Sequence, residues 1–218
     1  MRTLPTLLLT LFFTAVATQA SSTASTAPTP APATHTVLLV GDSLSSAHRI
    51  PADAGWVTLL QQRLDRSSSH APTVINASRG GKTVTDALKE LPGLLASHHP
   101  QVVLLELGAN DAILGASPAE LRQHMLQLID RAKASGARVA LLGFEIPPQL
   151  DQKGCARMLH DTYAELAREE HVVLLPSLMA GISDHPALLL DDGVHPTASA
   201  QALMLDNAWP TLRPLLLN

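Results

Sequence analysis

Four short blocks of this 218-residue chain carry residue types that together could transfer an acyl group. They are Gly41-Asp42-Ser43-Leu44, Asn76-Ala77-Ser78-Arg79-Gly80-Gly81, Gly108-Ala109-Asn110-Asp111 and Asp191-Asp192-Gly193-Val194-His195-Pro196. A serine hydroxyl such as that of Ser43 is a weak nucleophile and needs a base within hydrogen-bond reach. His195 can supply that base. Asp192 lies three residues earlier, and in a turn its carboxylate can reach the far nitrogen of the imidazole. It would then fix the tautomer and stabilise the imidazolium. Acyl transfer also needs donors aimed at the developing oxyanion. The backbone N–H groups of Ser43 and Gly81 and the side-chain amide of Asn110 are the candidates. Gly81 suits the role because it has no side chain to hinder a ligand.

These blocks need elements that bring them to one place. Thr36-Val-Leu-Leu-Val40 is a continuous apolar run ending at Gly41, as expected for a strand buried on both faces. Residues 73–75, 101–107, 138–142 and 172–175 read as four more strands. Between them, helical spacing of apolar residues appears around Trp56, Leu60 and Leu64, then around Val84, Leu88, Leu91 and Leu95. Ser117-Pro118-Ala119-Glu120 is a capping box with Pro at the first helical position, and the helix it starts stops near Gly136. Residues 155–170 and about 198–213 read as the last two helices. Strands alternating with helices imply a single three-layer α/β/α domain with a five-stranded parallel sheet. Functional residues of such sheets gather beyond the carboxyl ends of the strands. The first three blocks follow strand ends directly.

The four blocks, in this order and at this spacing, resemble those of the SGNH (GDSL) hydrolases over about residues 36–215. Asn76-Ala-Ser, Glu106-Leu-Gly-x-Asn-Asp and Asp191-Asp-Gly-x-His-Pro resemble the bacterial periplasmic branch of thioesterases, lysophospholipases and arylesterases. The resemblance implies a flavodoxin-like SGNH hydrolase fold. It implies Ser43 as nucleophile, His195 as base, Asp192 as its orienter, and Ser43, Gly81 and Asn110 as the oxyanion hole. The second block offers Gly80 and Gly81, and spacing from Asn76 favours Gly81. No metal or organic cofactor is implied. The pattern is departed from in two places: Ala109 stands where a second Gly is common, and Ser45-Ser46-Ala47-His48 replaces a small-Gly-aromatic run.

Blander readings stand beside these. Ser43 could cap a helix, His195 could be a solvated loop residue, and Asn110 could hold a turn. Glu106 could be a buried paired carboxylate or lie exposed at the strand end. Cys155 reads as a small buried apolar residue. The histidines suggest metal only by count. Three loops carry apolar residues that could line an acyl groove. They contribute Ile113 and Leu114, then Ile146 and Pro147, then Leu178, Met179, Ile182 and Leu188 to Leu190. The same residues could pack on themselves.

Composition excludes other classes. The net charge of −4 and the absence of a polybasic run argue against nucleic acid. One cysteine excludes an intramolecular disulfide framework. Aromatic residues at 3% are too few for base stacking. Residues 1–20 read as a secretory signal: Arg2 gives a positive start, Leu4 to Val16 is apolar, and the small residues Thr18 and Ala20 stand where a signal peptidase reads. Residues 21–34 contain only Ser, Thr, Ala and Pro and read as a disordered linker. Residues 35–218 are the expected hydrolase domain, secreted to the periplasm or beyond, monomeric, with no membrane span after cleavage. The expected substrates are small acyl esters and thioesters. The alternatives are a carbohydrate or peptidoglycan O-acetylesterase and a non-catalytic lipid-binding protein.

Overall fold

The structure is a computed structural model that describes residues 35–146, 151 and 154–217. The expected signal and linker, residues 1–34, lie outside the described residues, as does Pro147. The described strands are β1 (Thr36–Gly41), β2 (Thr73–Asn76), β3 (Val102–Glu106), β4 (Arg138–Leu142) and β5 (Val173–Leu175). The described helices are α1 (Trp56–Ser67), α2 (Val84–His98), α3 (Ala109–Ile113), α4 (Pro118–Ala134), α5 (Cys155–Glu169) and α6 (Gln201–Leu217).

All strand pairs are parallel, in the order β2-β1-β3-β4-β5. Period-two alternation divides the apolar strand residues between two cores. Val37, Leu39, Val102, Leu104, Ala140 and Leu142 face α1 and α6. Leu38, Val40, Val103, Leu105, Val139 and Leu141 face α2, α4 and α5. Helices therefore cover both faces, which is why these strands read as unbroken apolar runs.

The strand order places a switch point between β1 and β3. The chain leaves β1 toward β2 on one side, then returns to build β3 on the other. Their connections part there and leave a crevice at the carboxyl ends. Gly41 and Glu106, the last residues of the two strands, are register partners. The first and third blocks thus emerge side by side.

Local sequence explains the helix ends near the site. Ser117 and Thr83 each close a capping box, with Glu120 and Asp86 respectively. The closing helix continues to Leu217, past its expected end near residue 213. It carries Pro210 and Pro214, and its buried Leu212, Leu215 and Leu216 pack into the core. Tertiary burial here outweighs the loss of backbone donors at the two prolines.

Candidate active site

Ser43 lies two residues beyond β1, in a turn rather than at a helix start. Two acidic residues shape that turn. Asp42 Oδ1 accepts the N–H of Leu44 at 3.1 Å. Glu106 Oε2, from the end of β3, accepts the Asp42 N–H at 3.2 Å and the Ser45 hydroxyl at 2.8 Å. Glu106 thereby grips the chain on both sides of Ser43. A Cβ on Gly41 would come within 2.8 Å of both Glu106 Oε2 and Ser78 Oγ, so glycine is what lets the strand approach this carboxyl group.

Ser43 Oγ is 2.9 Å from His195 Nε2. His195 Nδ1 is 2.9 Å from Asp192 Oδ2. The other Asp192 oxygen, Oδ1, accepts the N–H groups of Val194 (2.9 Å) and His195 (3.0 Å). The Asp-x-x-His spacing is thus a self-capped turn that aims one carboxylate oxygen at the ring. The loop is closed at its base, where the Leu190 N–H donates to the His195 carbonyl at 2.7 Å. These contacts set aside the helix-cap reading of Ser43 and the solvated-loop reading of His195.

Asn110 sits in α3, just past β3. Its Nδ2 donates to Asp42 Oδ2 at 3.1 Å and to the Lys82 carbonyl at 3.0 Å. One amide group therefore ties the third block to the first and to Lys82, the residue just after the second. Gly81, next to Lys82, has φ +73° and open space where a Cβ would stand. Its conformation, not crowding, calls for glycine. Asp111 turns away from Ser43: both its oxygens accept the Val84 N–H, tying the start of α2 to the third block.

The electrostatics divide the carboxylates into two kinds. Burial opposes ionisation of Asp192, but the His195 N–H, the His195 ring and the Val194 N–H outweigh it and hold the carboxyl well below its usual range. Burial pushes Asp42 up to about 6. Burial, and then the negative charge of Asp42, push Glu106 well above its usual value. Glu106 is fully buried, which answers the open question about its exposure. Burial, then the charge of His195, lower the His48 imidazole, against the pull of Asp192.

A cavity of about 110 Å³ adjoins Ser43, with Asn110, Ile113, Ile146, Met179, Val194 and His195 among its walls. Ile113 and Ile146 thus stand where an acyl groove was expected. Leu114 does not line this cavity: it lies at the end of α3 and is 76% exposed. The third expected loop also differs. Leu178, Ile182 and Leu189 belong to the core beside α1 and α6, and from that loop only Met179 reaches the cavity. These apolar residues follow a short edge strand, and burying them against α6 removes more of their surface from water than a groove wall would. A larger cavity, about 960 Å³, shares Phe144, Glu145 and Ile146 with the first and runs along Leu159, Tyr163 and Gly181.

Sequence reading missed several residues that build this site. Tyr163 donates its hydroxyl to the Leu107 carbonyl (2.6 Å) and accepts the Leu107 N–H (3.1 Å), which pins the turn before Asn110. The buried Lys82 reaches the Ala77 carbonyl at 2.5 Å and Glu90 at 2.6 Å, which braces the second block. Arg49 pairs with Asp191 at 2.7 Å and with Asp192 Oδ2 at 3.2 Å. The His48 ring lies 4.2 Å, centroid to centroid, from that of His195. Tyr163, Arg49 and His48 have no local sequence signal, because each acts across a long stretch of chain, whereas Lys82 has partners within eight residues and only its burial is invisible in the sequence. The departure at Ser45-Ser46-Ala47-His48 was the visible sign that this corner is unusual.

The chain matches the model of the GDSL-like lipase/acylhydrolase family over residues 39–203. It is 39% identical over 184 residues to the esterase TesA of Pseudomonas aeruginosa, covering 84% of this chain and 90% of that protein. It is 36% identical over 186 residues to thioesterase 1/protease 1/lysophospholipase L1 of Escherichia coli K12, covering 85% of this chain and 87% of that one. A crystal structure of the psychrotrophic esterase EstA from Pseudoalteromonas, inhibited by monoethylphosphonate, superposes with a TM-score of 0.77 at 31% identity. That match covers 84% of this chain and all of the other. With four blocks converging at the switch point of a five-stranded parallel sheet, and with matches of this extent, the chain belongs to the GDSL-like lipase/acylhydrolase family.

Proposed function

We propose that this protein is a secreted serine esterase that hydrolyses acyl esters and thioesters through an acyl-enzyme. The observation that carries the reading is the hydrogen-bonded chain Ser43–His195–Asp192. Ser43 Oγ attacks the acyl carbonyl while His195 Nε2 takes its proton. Asp192 holds the ring and stabilises the imidazolium. The carbonyl oxygen becomes an oxyanion, which takes hydrogen bonds from the Ser43 and Gly81 N–H groups and from Asn110 Nδ2. Asn110 can release one of its two present acceptors to do so. His195 then protonates the leaving alcohol or thiol. In the second half it activates water, which attacks the ester carbonyl of Ser43 and frees the acid.

The names of the relatives favour thioesters, aryl esters and lysophospholipids as substrates. Ile113, Ile146, Met179 and Val194 give the acyl side of the cavity an apolar wall. The signal-like residues 1–20 support export to the periplasm or beyond. Among the described residues no helix is long and apolar enough to cross a membrane. The small volume of the cavity beside Ser43 favours a second reading, an O-acetylesterase.

Hydrolysis of p-nitrophenyl esters from acetate to decanoate tests both. Each buried CH₂ contributes roughly 0.8 kcal/mol, about fourfold in kcat/KM. A rise along the series supports the acyl groove, and activity confined to acetate supports the second reading. Equal or absent hydrolysis by the protein and its Ser43→Ala variant, both folded, removes the serine mechanism.

A further inference from the structure

His48 is unused by the mechanism above, yet it faces the most reactive group of the site. One ligand atom from each of His48, Asp192 and His195 lies within 4.8 Å of the others. We propose that these three side chains form a reversible inhibitory site for a divalent transition metal, zinc in particular. The inhibition, though not the binding, rests on the reading of His195 as the catalytic base.

Two imidazoles and one carboxylate are a donor set that zinc accepts readily. Zinc–ligand bonds of about 2.0–2.2 Å place tetrahedral neighbours about 3.4 Å apart. Donors at the 4.8 Å limit must draw together by about 1.4 Å, while His195 Nδ1 and Asp192 Oδ2, now 2.9 Å apart, must part slightly if that nitrogen binds. Their setting permits it: all three stand on turns, not on helices or strands. The side chains of Asp192 and His195 are 28% and 19% exposed, so an ion reaches them from solvent. Three protein ligands leave a fourth position for water or for Ser43 Oγ.

Either nitrogen of His195 gives the same outcome. Nε2 accepts the Ser43 proton, and a metal there occupies that lone pair. Nδ1 is the link to Asp192, and a metal there takes that nitrogen's lone pair and shifts the ring proton to Nε2, which then has no lone pair left for the Ser43 proton. Both routes leave Ser43 without its base. Arg49 opposes the metal. Its guanidinium already holds Asp192 Oδ2 at 3.2 Å and adds positive charge beside the site.

Calorimetric titration of zinc chloride into the Ser43→Ala protein tests the binding without turnover. One zinc per chain is expected. Adding His48→Phe keeps an aromatic ring against His195 but removes the ligand, and should weaken binding at least tenfold. His48→Gln provides a second variant that needs no new packing. Arg49→Gln should tighten binding severalfold. With Ser43 present, zinc should block ester hydrolysis, EDTA should restore it, and His48→Phe should raise the half-inhibiting zinc concentration at least tenfold. Zinc affinity unchanged by both His48 variants, or no binding at millimolar zinc, overturns the site. Binding that depends on His48 but leaves hydrolysis running overturns the inhibition alone. Binding that depends on His48 in a protein that hydrolyses no ester upholds the site and removes the esterase reading.

Discussion

Asn110 and Asp42 meet across the crevice between β1 and β3, with Asn110 Nδ2 donating to Asp42 Oδ2 at 3.1 Å. The contact joins residues 68 positions apart and orients the amide toward the Ser43 side of the crevice. Replacing Asn110 with Ala should lower kcat on the order of 10²–10³ with little change in KM, because the lost donor acts on the oxyanion. Steady-state kinetics on one activated ester measures this. A rate near that of the unaltered protein removes Asn110 from the oxyanion hole.

Asp192 has two separate tasks, to shape its own turn and to hold the imidazole. Asn at this position preserves the size and much of the turn but offers the ring the wrong partner. Asp192→Asn should reduce kcat on the order of 10⁴ while leaving the fold intact. Circular dichroism and turnover, measured on the same preparation, separate the two tasks. Less than a tenfold loss would show that His195 is oriented without it.

Gly41 has no spare volume. Ala there would press on Glu106 Oε2 and Ser78 Oγ, both 2.8 Å from the added carbon. Overpacking of this kind costs about 1–3 kcal/mol. Urea unfolding should show a lower midpoint, and hydrolysis should fall as well because the Ser43 turn hangs from the same carboxyl group. An unchanged midpoint would mean that Glu106 relaxes freely.

Glu106 makes stability depend on pH. Its carboxyl group titrates near 4.5 when unfolded and well above that when folded, chiefly through burial. The folded state therefore holds the proton more tightly. This contribution is fully present below about pH 4.5 and is lost as pH rises through the folded value. Glu106→Gln cannot titrate. The melting temperature of the unaltered protein, relative to that variant, should fall as pH rises above 4.5. A difference that stays constant from pH 4 to 8 contradicts the assigned direction.

The sequence by itself determined the layered fold and pointed to the residues at the centre of the candidate site. Short unbroken apolar runs at Val37–Val40 and Val102–Leu105, bounded by turn residues, read as strands covered on both faces, and their alternation with amphipathic helices implies a parallel sheet. Ser43, Asp192, His195 and Asn110 were legible because turns and strand ends carry local signatures, Asp-x-x-His most of all. The tertiary structure alone decided the remainder. Whether Glu106 is buried depends on its register with Gly41. Whether Leu178 and Ile182 line a groove or a core depends on where α6 lies, and α6 takes them into the core. Arg49 and His48 reach the fourth block only because the long connection from β5 to α6 carries residue 192 back across the sheet to the end of β1. Contacts between distant segments leave no periodic trace in the chain, since each partner is chosen by the packing of elements that lie between them.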